Sequence, residues 1–169
     1  MLFVANEAIL MFSPYWTLLP FKLQMHKLTE YHGYAQGAAF SAFSVAFAAI
    51  YVNKEDNGKP HFKTWHGFLG LLLAVFIMIQ ITLGAIAKYA KFIPIKLNVS
   101  LVKTCHDLLG GFVILFCIGN MCTACFTNFF ASQFHILFAY LSCAVFVFIY
   151  GFVSIRVFST NRRIVALFK

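Results

Sequence analysis

Charge is scarce in this chain. Only 11% of its 169 residues are Asp, Glu, Lys or Arg, against roughly 25% in ordinary soluble domains. Five residues are acidic, and Glu7 alone of them lies within an apolar run away from a helix end. So little charge on a chain that is 62% hydrophobic, with a mean hydropathy of +0.83, excludes a soluble globular domain. A basic leader is also missing: Met1 opens directly in apolar sequence, so no secretory signal is expected. A net charge of +8 in a soluble chain would suggest nucleic acid. Here the basic residues sit between hydrophobic spans, so topology is the better reading and nucleic acid is not expected. Cys122-Thr-Ala-Cys125 has redox-motif spacing, but no strand pattern precedes it and no histidine follows it. The five cysteines are read as small packing residues of helix interfaces.

What the chain does have is apolar blocks near the ~20 residues that cross a bilayer. Full spans are expected at 31–52, 64–87, 104–126 and 134–155. The first is rich in Ala, Gly and Ser, as closely packed membrane helices are. Residues 2–12 form a shorter run, ended by Ser13-Pro14. A dozen residues at 1.5 Å each cannot cross ~30 Å of hydrocarbon. The expected fold is therefore all-α: a polytopic helical bundle of four full transmembrane helices plus a partial N-terminal helix. Sequence upstream of Met1 is expected to be missing. Asn57-Gly58 and Lys59-Pro60 mark a turn between the first two full spans.

Basic residues set the orientation. The 14–30 loop holds Lys22 and Lys27, the 88–103 connector Lys88, Lys91, Lys96 and Lys103, and the tail Arg156, Arg162, Arg163 and Lys169. The opposite side has Lys54, Lys59 and Lys63. The richer side, which includes the C-terminus, is expected in the cytoplasm.

Three spans open on a histidine with small residues beneath it: His32 with Gly33 and Gly37, His66 with Gly70, His106 with Gly110 and Gly111. Residues four apart share a helix face, so a flat ligand held by the imidazole could lie against the bare backbone at the glycine. Antiparallel helices start in alternate leaflets, which puts His32 and His106 at one depth and His66 at the other. Two facing imidazoles can hold a heme iron with both axial positions filled, an electron carrier without an open site. A lone histidine at a helix end is most often interfacial, and His26 and His135 are read that way. Zinc is disfavoured because no cysteine or carboxylate cluster completes a tetrahedral site. Gln80 and Asn120 lie fourteen residues after His66 and His106, about 21 Å along the helix. Polar side chains at that depth face the bundle interior, to bond near the ligand of the other leaflet or simply to join two helices. A solute transporter is a distant third reading, since no broken-helix signal is present.

The chain resembles the cytochrome b561 family over nearly its whole length. The likeness rests on Asn6-Glu7-Ala8 to Phe12-Ser13-Pro14, Tyr31-His32, Asn53-Lys54-Glu55 through Gly58-Lys59-Pro60-His61 to Trp65-His66-Gly67, and on Gln80, Cys105-His106, Gly110 and Asn120. The resemblance implies that residues 1–169 are one transmembrane domain, its first helix incomplete. It implies two hemes b, with electrons carried from cytosolic ascorbate to monodehydroascorbate or a ferric chelate. His32 and His106 match the axial ligands of the cytoplasmic heme, and His66 matches one ligand of the other. The opposing ligand has no counterpart, because no histidine precedes His26. Lys22, Lys27 and Lys103 are placed to hold anionic ascorbate, and His61 resembles a histidine near the acceptor site. The likeness points to an endomembrane, endoplasmic reticulum or vesicle, and leaves a homodimer open. The competing expectation is a truncated, non-catalytic membrane isoform that binds one heme or none.

Overall fold

The computed structural model describes residues 25–94 and 97–160. The partial helix expected at 2–12, the position of Lys22 and the basic tail beyond residue 160 lie outside the described residues. Five α-helices are described: α1 (Met25–Asp56), α2 (Trp65–Tyr89), α3 (Val99–Cys125), α4 (Asn128–Gln133) and α5 (Ile136–Thr160). A 3-10 turn, Ala90–Phe92, continues α2. Four segments are long and apolar enough to cross a membrane: His26–Asp56, Trp65–Phe92, Val99–Cys125 and Ile136–Ile155. The four expected spans are therefore present, and the protein is an all-helical, multi-pass membrane protein.

The chain divides into two compact units, Met1–His61 and Phe62–Lys169. In the first, α1 begins near residue 25, where the sequence suggests a loop up to residue 30. Met25 to Glu30 is polar, but Met, Lys, Leu and Glu are good helix formers. The helix stops at a glycine turn. Gly58 N donates to Glu55 O at 3.0 Å and Lys59 N to Lys54 O at 2.8 Å, with Gly58 at φ +59°. That is the Schellman pattern, whose left-handed residue glycine adopts without a Cβ penalty.

In the second unit each connection ends in a side-chain cap. Thr64 Oγ1 accepts from Gly67 N at 3.1 Å, Asn98 Oδ1 from Leu101 N at 3.1 Å, and Thr127 Oγ1 from Phe130 N at 3.3 Å. Each satisfies one amide that the first helical turn leaves unpaired. The Thr127 cap starts α4, in a stretch that the sequence reading leaves as a connector. Helices α2 and α3 pack against each other, with Phe76 edge-on to Phe116 at 5.1 Å. On its other side α3 packs on α5, where Phe126 meets Tyr140 at 5.5 Å and Cys143 Sγ donates to Cys122 O at 3.7 Å. The buried residues of this unit, among them Leu73, Ile114, Cys125, Ala139 and Val153, line these two seams. Large apolar side chains such as Val75, Met78, Leu115 and Phe148 remain exposed. Helices apolar all round need a hydrocarbon solvent, which is the lipid bilayer.

Candidate functional site

The site is built on the antiparallel pair α2 and α3. His66 stands one residue inside α2, immediately after the Thr64 cap, so the cap fixes where its side chain leaves the helix. It is half-buried, and its Nδ1 lies 3.1 Å from the carbonyl oxygen of Asn120 near the far end of α3. His106, in the second turn of α3, is held in the same way: its Nδ1 lies 3.2 Å from the carbonyl oxygen of Gln80 near the far end of α2. A carbonyl oxygen only accepts, so in both rings Nδ1 carries the proton and donates. Each Nε2 is then the nitrogen with the lone pair.

The Gln80 side-chain amide adds to the holding of His106. Gln80 Nε2 donates to His106 O at 2.8 Å and lies 3.4 Å from His106 Nε2. The second contact requires an unprotonated Nε2, the tautomer already set at Nδ1. Thr123 Oγ1 adds a second donor, at 2.9 Å, to the Asn120 carbonyl that holds His66. For Gln80 the side-chain contact that joins the helices is present and is made to the histidine of the opposite helix; at Asn120 the bond to His66 is made by the backbone carbonyl.

The glycines play a different part from the one expected. A Cβ on Gly110 would stand 2.8 Å from Gln80 Nε2, and one on Gly70 would stand 3.6 Å from Asn120 Nδ2. The bare backbone four residues after each histidine is thus filled by the amide of the opposite helix rather than left open for a flat ligand. The physical reason is antiparallel packing: fourteen residues of rise carry each amide to the level of the other helix's first turns. Nothing stands within 4 Å of a Cβ on Gly33 or Gly37. Gly84, which the sequence reading passes over, faces the His106 ring, with Cε1 3.0 Å from where its Cβ would be. No sequence signal marks it, because its role appears only once α2 and α3 are packed.

The other candidates separate cleanly. His32 is a half-buried residue of α1 in the first unit; His66 and His106 belong to the second. His61 Nε2 lies 2.8 Å from Glu55 Oε1, and its ring stacks on Tyr51 at 4.2 Å, all beside the turn that ends α1. Lys27 is exposed and Lys103 half-buried. His135 Nδ1 accepts from Leu137 N at 3.3 Å, so it caps the start of α5, an end-of-helix role.

The donor chemistry fits a heme iron. Each of His66 and His106 has Nδ1–H pinned to a carbonyl, which orients the ring and leaves Nε2 as the nitrogen able to ligate, as in metal-ligating histidines. Buried Gln80 Oε1 and Asn120 Oδ1 have no hydrogen-bond partner among the described residues, at a depth where such groups are costly. Both orphaned oxygens belong to the residues that hold the histidines.

Fold and site together define an integral membrane protein whose paired helices α2 and α3 each present a pre-oriented imidazole. A model of the eukaryotic cytochrome b561 family matches residues 1–132, and the chain belongs to that family, whose members are heme b proteins. It is similar to the transmembrane reductase CYB561D2 of Bos taurus, with 31% identity over 132 residues, 74% of this chain and 57% of the relative. The Homo sapiens protein of that name is 30% identical over the same shares, and the Mus musculus one 33% identical over 54% of this chain and 41% of its own length. The chain thus spans about half the length of the curated relatives it matches. No solved structure matches it.

Proposed function

We propose that this chain is a transmembrane oxidoreductase that carries electrons from cytosolic ascorbate to a non-cytoplasmic acceptor, monodehydroascorbate or a ferric chelate. The observation that carries the reading is the reciprocal holding of His66 and His106, which leaves the lone pair of each ring on Nε2. Heme b, when bound, supplies one-electron exchange between ferric and ferrous iron. His106 and His32 are the residues that would hold the cytoplasmic heme. His66 is proposed as one ligand at the opposite face, and the complete site proposed here is that of His32 and His106. At His106 the Gln80 backbone carbonyl holds the ring in the tautomer a ligand would need, and the Gln80 amide holds the His106 carbonyl.

Lys22, Lys27 and Lys103 are proposed to hold the ascorbate anion, and the sign of their charge supports the role. His61, fixed by Glu55 and Tyr51, is proposed to sit at the acceptor site. The excess of basic residues in the 14–30 and 88–103 segments supports a cytoplasmic C-terminus, and family likeness supports an endomembrane. The test is the reduced-minus-oxidised absorption of the purified protein. A b-type signal at about one heme per chain, lost in His32→Ala and in His106→Ala and kept in His66→Ala, is the expected result. Absence of any heme signal favours the non-catalytic isoform and sinks the oxidoreductase.

A further inference from the structure

We propose that Gly84 is the seat of the His106 ring, and so a positioning residue for an iron ligand: its bare backbone and the Gln80 carbonyl together fix how the imidazole is turned. The inference rests on the reading of His106 as an axial ligand. A Cβ on Gly84 would stand 3.0 Å from Cε1, 3.4 Å from Nδ1 and 3.9 Å from Nε2 of His106. Those three atoms are the edge of the ring that carries both nitrogens, so that edge rests where the side chain of any other residue would begin. Gly84 lies one turn beyond Gln80 on the same face of α2, and the Gln80 carbonyl takes the Nδ1 proton at 3.2 Å. One contact sets the direction of Nδ1; the other sets how closely the ring approaches α2. Without them, rotation of an imidazole about Cβ–Cγ is broad and only weakly staggered.

A methyl at residue 84 meets Cε1 of the ring at 3.0 Å, tighter than an ordinary contact, so the ring must turn or withdraw by a few tenths of an ångström. The turn of an axial imidazole governs the orbital splitting of low-spin ferric iron and so its g values. The hydrogen bond at Nδ1 governs the basicity of Nε2 and so the reduction potential. Gly119 on α3 is a matched control, because nothing stands within 4 Å of a Cβ there.

The experiment compares wild type, Gly84→Ala, Gly119→Ala and His106→Ala as purified full-length chains. Heme content, low-temperature electron paramagnetic resonance and a redox titration are read for each. Gly84→Ala is expected to shift the g values and the midpoint potential, or to lower heme content, while Gly119→Ala matches wild type. Wild-type g values and potential in Gly84→Ala overturn the proposal. A second measurement stands should Gly84→Ala fail to fold: nitrogen-15 spectra of histidine-labelled, heme-free wild type, with the His106 signal assigned by its loss in His106→Ala. Protonation at Nδ1 supports the seat, and protonation at Nε2 overturns it. If instead His106→Ala keeps the wild-type heme spectrum, the ligand assignment of His106 fails, a result the nitrogen spectra report separately.

Discussion

His66 and Asn120, fifty-four residues apart in sequence, share one hydrogen bond at 3.1 Å between a ring nitrogen and a backbone carbonyl. The bond ties the first turn of α2 to the last third of α3, and His106 with Gln80 repeats it in the opposite sense. Each helix therefore supplies both a donor ring and an accepting carbonyl. In a bilayer, where burial of apolar surface does not drive helices together, bonds of this kind average about 0.6 kcal/mol each, so shape must do the rest.

That shape is testable at the two glycines. Gly110→Ala puts a methyl 2.8 Å from an amide nitrogen that is already committed to His106 O. The expected cost is about 1–3 kcal/mol, typical of an overfilled seam. Gly70→Ala meets Asn120 at an ordinary 3.6 Å and should change stability by less than about 0.5 kcal/mol. Reversible unfolding in mixed detergent micelles measures both, and equal costs would contradict the asymmetry.

Gln80 offers a sharper contrast. Gln80→Leu removes one hydrogen bond but also the buried oxygen that has no partner, so the two effects largely offset and about 1 kcal/mol or less should be lost. Gln80→Glu removes both donors and places a carboxylate against His106 O, at an expected cost of about 3 kcal/mol. The same unfolding assay ranks them, Glu well below Leu.

The turn that ends α1 should depend on one glycine. Gly58 has φ +59°, a conformation that costs a residue with a Cβ roughly 1–2 kcal/mol. Gly58→Ala is expected to fray the end of α1 and speed amide exchange around Glu55–Lys59. Gly58→Asn, which tolerates that region better, should restore much of the protection.

Orientation can be read at Asn57, which is exposed in the turn after α1. With the five native cysteines replaced and Asn57→Cys introduced, a membrane-impermeant maleimide should label that position only from the non-cytoplasmic face of sealed vesicles. Labelling from the other face would reverse the topology drawn from the lysines and arginines.

The spans were legible because apolar blocks of bilayer length, punctuated by Asn57-Gly58, Lys59-Pro60 and Pro94, leave few other folds. Their ends were less so: the polar stretch before Tyr31 continues as helix, and α4 hides behind the Thr127 cap in an uncharged connector. Within the site, the equal fourteen-residue offsets of Gln80 and Asn120 were visible, and the interior placement of both followed from the cost of polar groups in lipid. What sequence could not supply was the pairing across helices. The glycines after His66 and His106 looked like room for a ligand, because only the packed pair shows an amide arriving from the opposite strand of the hairpin. Gly84 was invisible for a similar reason: nothing local distinguishes it from any small residue in a membrane helix.

The fourteen-residue offset also dictates where the chain can tolerate a change in length. One residue inserted between His66 and Gln80 would turn the two contact points about 100° apart and lengthen the helix by about 1.5 Å, so both cross-links could no longer form together. The same insertion in the short link that holds Pro94 would leave both intact. Drift in length should therefore collect in that link and spare the interval between ring and carbonyl in either helix.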